Sequence, residues 1–441
     1  MKSFNELVKQ WRSGDGLRAQ LARGAVRGLL VTMAGVLVGF GVQVAVARIL
    51  GVSEFGIYAW ALAWINFLVM ISCSGLDGLT VRRLPSYLID GQWGKARGFL
   101  LFSIVWVGGV ALFSACVLYG VAWLSRQHIL PGSLNTLAIC IGVTPLFALG
   151  AIRQAVLGAL KHVAKAQILE AIVRPVFLLL IVVVSVFVLG MAATSAMSMM
   201  AQLIASAIVF VVGGLWVIRA LPVEARRALP QREAATWLKE AAPFLAISGA
   251  SAFSGQVGML ALGAVGTAAD TGIYAAVLRI TDIAMMGIYS IAAIASPLIV
   301  EVVKKQDQAG LAQVMKWGAR GSLAFAVLAG GGVLLFGDWI LAAFGKAFLG
   351  GHDPLYIMLP GVMVSAFAGM SGVLLAMSGH AGVRAAIGWF SALCNFTICI
   401  IAAPKYGIYG AALGYTVASV VGSSLCLYFC WHYHRLWVGL R

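Results

Sequence analysis

Charged residues are scarce in this chain: Asp, Glu, Lys and Arg together make up only 10% of its 441 residues, and Asp and Glu number just 15. Hydrophobic residues make up 61%, and the mean hydropathy is +0.97. A soluble domain with this composition would have too little polar surface to face water. The composition therefore excludes a water-soluble protein and predicts one that lies in lipid.

The motifs of common enzyme classes are also missing. The sequence contains no Walker A pattern, no Rossmann glycine fingerprint and no Gly-x-Ser-x-Gly turn, so neither nucleotide hydrolysis nor a serine hydrolase is supported. No long loop is predicted on the outer side, where a membrane glycosyltransferase or polymerase would carry its acid and base groups. We therefore expect no enzymatic activity, no catalytic residues and no cofactor.

The cysteines and histidines form no ligand pattern. The sequence has no Cys-x-x-Cys pair and no histidine at ligand spacing, and all seven cysteines lie within apolar runs: Cys73, Cys116, Cys140, Cys394, Cys399, Cys426 and Cys430. We interpret them as small buried hydrophobic residues. The sequence thus predicts no metal site.

Long apolar runs dominate the sequence. The hydrocarbon layer of a membrane is ~30 Å thick and takes about 20 helical residues to cross. Twelve runs reach this length: roughly 26–50, 56–80, 99–124, 134–158, 167–190, 194–219, 240–265, 272–300, 318–344, 354–379, 383–404 and 408–431. Because the runs are continuously apolar rather than alternating, they predict helices and exclude a barrel. We expect an all-α integral membrane protein with twelve transmembrane helices.

The two halves of the chain repeat one short motif. Gly-Ile-Tyr-Ala occurs at 56–59 and at 272–275, and an acidic residue precedes it each time, Glu54 and Asp270. Duplicated hydrophobic halves are typical of transporters whose substrate site lies between two bundles. The repeat predicts two six-helix lobes. The expected boundaries are a cytoplasmic N-terminal segment at 1–25, an N-lobe at 26–219, a cytoplasmic linker at 220–239, a C-lobe at 240–431 and a cytoplasmic tail at 432–441.

The basic residues lie mainly on one side of the predicted membrane. Of the 31 Lys and Arg residues, 25 fall in the N-terminal segment and the even-numbered connections, and only four fall on the other side: Arg48, Arg126, Lys346 and Lys405. This distribution follows the positive-inside rule, provided that the number of spans is twelve. Both termini are therefore expected in the cytoplasm. Because placement explains the net charge of +16, no nucleic-acid partner is expected.

A few ionisable residues fall within or at the ends of the predicted spans. Insertion of such a side chain at mid-bilayer costs about 2.5 to 3.5 kcal/mol, so each of these residues is expected to have a compensating interaction or a function. Arg279 either pairs with Asp282, one turn later, or faces a water-filled cavity where its planar fork would match phosphate oxygens. The candidate substrate-binding residues are Arg27, Arg48, Arg153, Arg174 and Arg279, and the candidate coupling or pairing residues are Asp77, Glu170 and Asp282.

Structural roles stay open for several of these residues. Arg174 follows Glu170 by four residues, a spacing that suits an ion pair within one helix. Arg153 and Arg174 lie close enough to the interface to act as anchors, and Arg48 suits an interfacial anchor better than a ligand. Neutral polar side chains either line the same cavity or only bridge helices. These side chains are Gln43, Asn66, Gln202, Gln256 and Asn395.

Acidic residues are absent from two spans in which a cation exporter would need them. The segments 28–50 and 241–267 contain no Asp or Glu. An exporter of cationic drugs that runs on protons or sodium needs a buried carboxylate to exchange them. The interior charge here is mainly cationic, which favours an anionic cargo. A drug or metabolite cation antiporter of the same fold stays as the alternative, with Asp77, Glu170 and Asp282 as its candidate carboxylates.

Three segments resemble one transporter family. They are Ala47-Arg-Ile-Leu-Gly-Val-Ser-Glu-Phe-Gly-Ile-Tyr after the first run, Gly75-Leu-Asp-Gly followed by Arg82-Arg83 after the second, and Asp270-Thr-Gly-Ile-Tyr leading to Ser296-Pro297 in the eighth. With the six-plus-six layout, they resemble the Wzx-type polysaccharide flippases of the multidrug/oligosaccharidyl-lipid/polysaccharide exporter superfamily. The likeness covers nearly the whole chain.

This resemblance implies a MATE-like fold with a V-shaped central cavity. It also implies transport of undecaprenyl-diphosphate-linked oligosaccharide from the inner to the outer leaflet of the bacterial inner membrane, for surface polysaccharides such as O-antigen or exopolysaccharide. By position, Arg27 and Arg279 are similar to the arginines that hold the diphosphate in that family, and Arg48 and Arg153 match less closely. The implied partners are the lipid-linked glycan, membrane lipid, a polysaccharide polymerase and a chain-length regulator.

Overall fold

The computed structural model describes residues 17–127 and 130–435, with side chains from residue 31 onward except at Val163, Ile247, Ala293 and Pro297. All regular secondary structure in these ranges is helical. The α-helices are α1 Leu17–Cys73, α2 Leu76–Ile89, α3 Trp93–Leu124, α4 Ser133–Ala159, α5 Val163–Ile168, α6 Arg174–Val183, α7 Ser195–Ala220, α8 Val223–Arg227, α9 Ala234–Val265, α10 Ala268–Lys304, α11 Gln308–Phe344, α12 His352–Met377, α13 Ala381–Tyr406 and α14 Ile408–His434. The π-helical turns Leu169–Val173 and Val184–Val188 follow α5 and α6, and the 3-10 helix Lys346–Gly351 precedes α12.

Within the described ranges, ten helices are long and apolar enough to cross a membrane, or eleven when the bent pair Ala234–Ala246 and Ser248–Val265 counts as one span. The sequence predicted twelve. The counts differ because the runs at 26–50 and 56–80 both begin within the single element α1. Gly51 interrupts α1 with φ 77° and ψ 171°, a conformation that glycine adopts without steric cost. The element thus holds two apolar stretches that meet at a break.

The second apolar run ends earlier than the sequence predicted. Ser74 and Gly75 have positive φ angles of 49° and 79°, and α1 ends at Cys73 rather than near residue 80. The short helix α2 follows, with Asp77 in its first turn. A carboxylate there interacts favourably with the helix dipole. Asp77 therefore lies at the start of a short helix and not inside a membrane-crossing one.

The helices form two groups along the chain. In the N-terminal half, α3 packs on α4 and α4 on α7; in the C-terminal half, α14 packs on α12 and α13, and α9 on α13. The halves meet where α1 contacts α9 and α10. We call the end of the bundle with the connections 90–92, 160–162, 221–233, 305–307 and 378–380 the basic face. The end with the connections 189–194, 266–267 and 345–351 is called the opposite face.

The two halves are in backbone contact at the opposite face, and the repeated motif makes this contact. A Cβ atom on Gly56 of α1 would lie 1.9 Å from the carbonyl oxygen of Ala268, and one on Gly272 of α10 would lie 2.1 Å from that of Val52. Only glycine permits helices to approach this closely, because it carries no Cβ. The duplicated glycines therefore build the crossing between the halves.

Aromatic rings extend the contact at the opposite face. Phe40 lies 5.5 Å from Phe344 and Phe55 lies 5.9 Å from Phe348, each pair edge to face. Edge-to-face rings at this separation attract one another beyond the burial of their surface. Each pair joins a residue of α1 to one from the C-terminal half. The opposite face is thus closed by a backbone crossing and by rings.

The halves also touch at the basic face, around the start of α9. Trp237 is fully buried, with its ring centroid 5.4 Å from that of Phe99, and its indole N–H donates to the hydroxyl oxygen of Tyr87 at 3.1 Å. Arg83 forms a two-pronged ion pair with Glu240, in which Nε lies 2.7 Å from Oε2. This hydrogen bond raises the pKa of the Arg83 guanidinium. Backbone also meets backbone at this face, since a Cβ on Gly75 would lie 2.3 Å from the carbonyl oxygen of Ala241 of α9.

Candidate functional site

A cavity of about 150 Å³ lies between the two halves of the chain. Helix α1 contributes Gln43 and Asn66, α9 contributes Gln256, and α10 contributes Arg279 and Asp282. The rest of the wall consists of apolar residues and one glycine: Ala59, Leu62, Ala63, Gly255, Met259, Ala275 and Leu278. A charged pair and three amides thus face one space that both halves enclose.

Arg279 keeps most of its hydrogen-bonding capacity free. Its Nη1 lies 3.2 Å from Oδ2 of Asp282, one turn further along α10. The two side chains nevertheless remain 44% and 62% exposed. A guanidinium carries five N–H donors, and this ion pair engages one of them. Pairing and a cavity position were alternatives in the sequence, and the structure shows both, with donors left for a further anion.

The five neutral polar residues that the sequence singled out separate into two groups. Gln43, Asn66 and Gln256 line the cavity. Gln202 and Asn395 are buried and bridge helices instead: the hydroxyl of Tyr58 donates to Oε1 of Gln202 at 3.0 Å, and Asn395 donates to a backbone oxygen at 3.3 Å. Sequence alone did not distinguish these roles, because a buried amide and a cavity amide occur in equally apolar runs.

Arg153 and Arg174 lie away from this cavity, in an ion-pair network inside the N-terminal half. Both pair with Glu170, and Nη1 of Arg174 lies 2.9 Å from its Oε2. Arg153 is only 6% exposed, and a Cβ on Gly213 would lie 2.5 Å from its side chain, so this glycine leaves room for it. The guanidinium of Arg174 also stacks 4.2 Å from the ring centre of Phe147.

This network corrects the expectation that Arg153 anchors the chain at the membrane interface. An interfacial anchor exposes its charged end, whereas the Arg153 guanidinium is enclosed by protein. Its partner Glu170 lies 17 residues away on the following helical segment, so helical spacing did not predict the pair. The spacing did predict the pair between Glu170 and Arg174, which the structure shows.

Of the three other predicted residues, Arg48 and Asp77 lie outside the cavity wall. Arg48 donates hydrogen bonds to the backbone oxygens of Ala342 and Ala343 near the end of α11, where carbonyl groups lack partners within the helix. Asp77 lies at the start of α2. Arg27 lies on α1, but its side chain is outside the described residues. Arg48 thus links the two halves at the opposite face.

Sequence reasoning missed a row of aromatic side chains that joins the two halves. Trp60, Trp64 and Phe67 follow one another along α1 with centroid distances of 6.3 and 6.0 Å. Phe67 lies 5.7 Å from Phe253 of α9, which lies 6.1 Å from Trp389 of α13. The spacing i, i+4, i+7 in α1 is visible in the sequence and places three rings on one helix face. Their partners in the other half were not predictable from spacing.

The fold defines the class of protein. It resembles an inward-facing multidrug resistance MATE family transporter of the MOP superfamily with a TM-score of 0.75 and 12% identity, over 93% of this chain and 98% of that one. The lipid II flippase MurJ, inward closed, aligns with a TM-score of 0.72 and 16% identity over 92% and 87%. A mutant of the Vibrio cholerae MATE transporter VcmN gives 0.64 and 16% over 95% and 97%. The chain is a multi-pass membrane protein with a MATE-like fold.

The sequence then identifies the family. The profile of the polysaccharide biosynthesis protein family matches residues 21–303, well over half of the chain. The chain belongs to this family, and its fold is that of the transporters named above. No curated protein matches it significantly. The prediction of a polysaccharide biosynthesis family and of a MATE-like fold is confirmed.

Proposed function

We propose that this protein is a flippase that moves undecaprenyl-diphosphate-linked oligosaccharide from the cytoplasmic to the outer leaflet of a bacterial inner membrane. Arg279 carries this proposal, because it is a cation with free donors on the wall of a space that both halves enclose. Its planar fork matches the oxygens of a diphosphate. Family membership supports a cargo that bears a glycan.

The cation and the three amides of the cavity each take a role in this proposal. Arg279 holds the diphosphate, while Gln43, Asn66 and Gln256 bond glycan hydroxyls, since an amide both donates and accepts. The polyprenyl tail stays in lipid between the halves. Arg27 precedes Gln43 on α1 by ~24 Å of helix and is a second diphosphate ligand at the mouth of the basic face. Structural roles are assigned to three predicted ligands: Arg48, Arg153 and Arg174.

The halves must separate before this cargo enters. The cavity measures about 150 Å³, whereas sites for drug-sized ligands span about 300 to 1,000 Å³. We propose that the twelve apolar runs form two six-helix lobes that rock around the central site and open a V-shaped cavity at either face. By the positive-inside rule the basic face is cytoplasmic, so the headgroup enters there.

The membrane potential supplies a driving force in this scheme. With the cell interior negative, outward movement of about two negative charges through ~100 mV is favourable by about 4 to 5 kcal/mol. A coupling carboxylate is then unnecessary. The test is to follow the appearance of headgroups on the far leaflet of reconstituted vesicles while valinomycin and potassium clamp the potential to zero. An unchanged rate would remove this part of the proposal.

Substitution of Arg279 tests the site itself. Arg279→Ala is expected to abolish flipping of a labelled lipid-linked oligosaccharide, and Arg279→Lys to weaken it, because lysine keeps the charge but loses the two-pronged geometry. Lys405→Ala serves as the matched control, because it removes an exposed charge at the opposite face. This variant should flip the lipid as the wild type does. Equal activity in all four proteins would leave Arg279 with only its structural pairing to Asp282.

One observation favours the antiporter alternative: a carboxylate, Asp282, lines the cavity. A MATE-type drug or metabolite cation antiporter would use it to exchange protons or sodium against the cargo. Asp282→Asn distinguishes the two functions, since it would abolish cation antiport but leave the guanidinium of Arg279 free to bind a diphosphate. Transport of a small cation that depends on Asp282 would support the antiporter and contradict the flippase.

A further inference from the structure

Arg384 lies at the basic-face end of the C-terminal half, as the fourth residue of α13. Its side chain is half-buried. It passes between two glycines, because a Cβ on Gly372 of α12 would lie 3.1 Å from its Nε and one on Gly388 would lie 3.4 Å from its Nη1. The small residues around this side chain therefore leave a space for a guanidinium within the half.

This guanidinium has no counter-ion among the side chains that the structure describes. Among the described residues, Arg384 makes no ion pair and no side-chain hydrogen bond, although the other buried and half-buried arginines in these ranges all have a partner. Arg83 pairs with Glu240, Arg153 and Arg174 pair with Glu170, and Arg97 donates to the backbone oxygen of Ala228. Partial removal of a charge from water is unfavourable unless an opposite charge compensates it. An anion from outside the chain would complete the surroundings of Arg384.

One stripe of α10 connects this cation to the cavity. Tyr289 is 65% exposed and lies within electrostatic reach of both Arg384 and Asp282. It follows Asp282 by seven residues, or two turns, and so lies on the same face of α10. Along the helix axis it lies ~15 Å from Arg279. On the way from the basic face to the cavity, Arg384 therefore comes first, Tyr289 second and Arg279 last.

We propose that Arg384 captures the phosphate group of a lipid-borne headgroup before that group reaches Arg279. This inference rests on the proposed flippase function and names the first binding site of its cargo. A guanidinium with all its donors free binds two phosphate oxygens at once. The hydroxyl of Tyr289 is a further donor on the way to the cavity. The same chemistry would suit the phosphate of an ordinary phospholipid, so the experiment separates the two sources.

The test measures binding to the purified full-length protein in detergent, with farnesyl diphosphate and phosphatidylglycerol as separate probes. Arg384→Ala should weaken farnesyl diphosphate binding by about 10-fold or more, which is the effect of losing a hydrogen bond to a charged group. The affinity of Arg384→Lys should lie between those of the wild type and Arg384→Ala. Arg320→Ala, an exposed arginine on α11, is the control and should bind as the wild type does. Without ligand, Arg384→Ala should melt no lower than the wild type, because no partner is lost.

The outcomes separate this inference from the proposed function. If the wild type binds farnesyl diphosphate and Arg384→Ala binds it equally well, the capture site is wrong while the flippase proposal stands. If the wild type binds no diphosphate, both fail. If Arg384→Ala lowers the affinity for phosphatidylglycerol and for farnesyl diphosphate by the same factor, Arg384 is a phospholipid site and the inference is overturned. A lower melting temperature of ligand-free Arg384→Ala would instead assign Arg384 a structural role and would also contradict it.

Discussion

A single methyl group at the repeated glycine should weaken the closure of the opposite face. In Gly56→Ala, the new Cβ would lie 1.9 Å from the carbonyl oxygen of Ala268 and 2.7 Å from the backbone nitrogen of Gly272. Carbon and oxygen in close contact normally lie about 3.3 to 3.6 Å apart. The helices α1 and α10 must therefore move apart by more than 1 Å, since the obstacle is backbone and no change of rotamer relieves it.

The magnitude follows from the cost of overpacking. An extra methyl group in a well-packed contact typically costs about 1 to 3 kcal/mol. The clash exists only while the two halves touch, so the whole penalty falls on the closed state. In a two-state equilibrium between a closed and an open opposite face, this cost shifts the ratio of the states by about 5- to 150-fold. Gly56→Ala is thus expected to populate the open state at the expense of the closed one.

The distance between the halves at the opposite face reports this shift. Pulsed electron paramagnetic resonance gives that distance between spin labels at two exposed positions. These are Leu189 in the N-terminal half and Trp339 in the C-terminal half. The native Cys116 and Cys394, which are exposed and half-buried, are first replaced by serine so that only the two chosen sites carry labels. Gly56→Ala should move the distance distribution towards longer values.

Gly41→Ala is the matched control. It makes the same change on the same helix, but its Cβ would meet no atom within 4 Å. Its distance distribution should therefore match that of the unsubstituted protein. If Gly56→Ala also gives that distribution, the crossing of the repeated glycines does not hold the opposite face closed, and the reasoning from the Cβ clash is wrong.

Three further changes probe the other contacts described above. Gly213→Ala would place a Cβ 2.5 Å from Arg153 and should lower stability by about 1 to 3 kcal/mol, measured by thermal melting in detergent. Trp237→Ala removes a fully buried ring at the basic face and should cost about 3 to 5 kcal/mol, so labels across that face should report greater separation. Arg83→Ala breaks a partly exposed ion pair worth at most about 1 kcal/mol, so it should open the same face less than Trp237→Ala does.

Much of the fold could be predicted from the sequence, because lipid imposes one rule on every span. A continuous apolar run of about 20 residues must be helical, and the helices of the structure coincide with the predicted runs along most of the chain. The exceptions lie where backbone conformation rather than hydropathy decides. Gly51 divides a single element, and Ser74 with Gly75 ends it before the apolar run does. Hydropathy carries no signal for a positive φ.

The cavity was predictable only in part, for a physical reason. Arg279 was predicted as a site residue because a charge deep in an apolar run requires a compensating interaction. The structure places it on the cavity wall. The same rule selected Arg153, whose compensation is the carboxylate of Glu170 on another segment. Both arginines satisfy the rule equally well in the sequence. Only the arrangement of helices shows that Arg153 is enclosed with its partner, whereas Arg279 keeps most of its donors free.

The closures at the two faces share one kind of contact, a glycine that brings backbone against backbone. At the opposite face, Gly56 and Gly272 form the crossing of α1 with α10. At the basic face, a Cβ on Gly75 would lie 2.3 Å from the carbonyl oxygen of Ala241 of α9. Both closures therefore rest on packed backbone, and opening either face loses that packing. Differential binding energy from the cargo is expected to offset this loss, since only a ligand that binds the open state more tightly shifts the equilibrium.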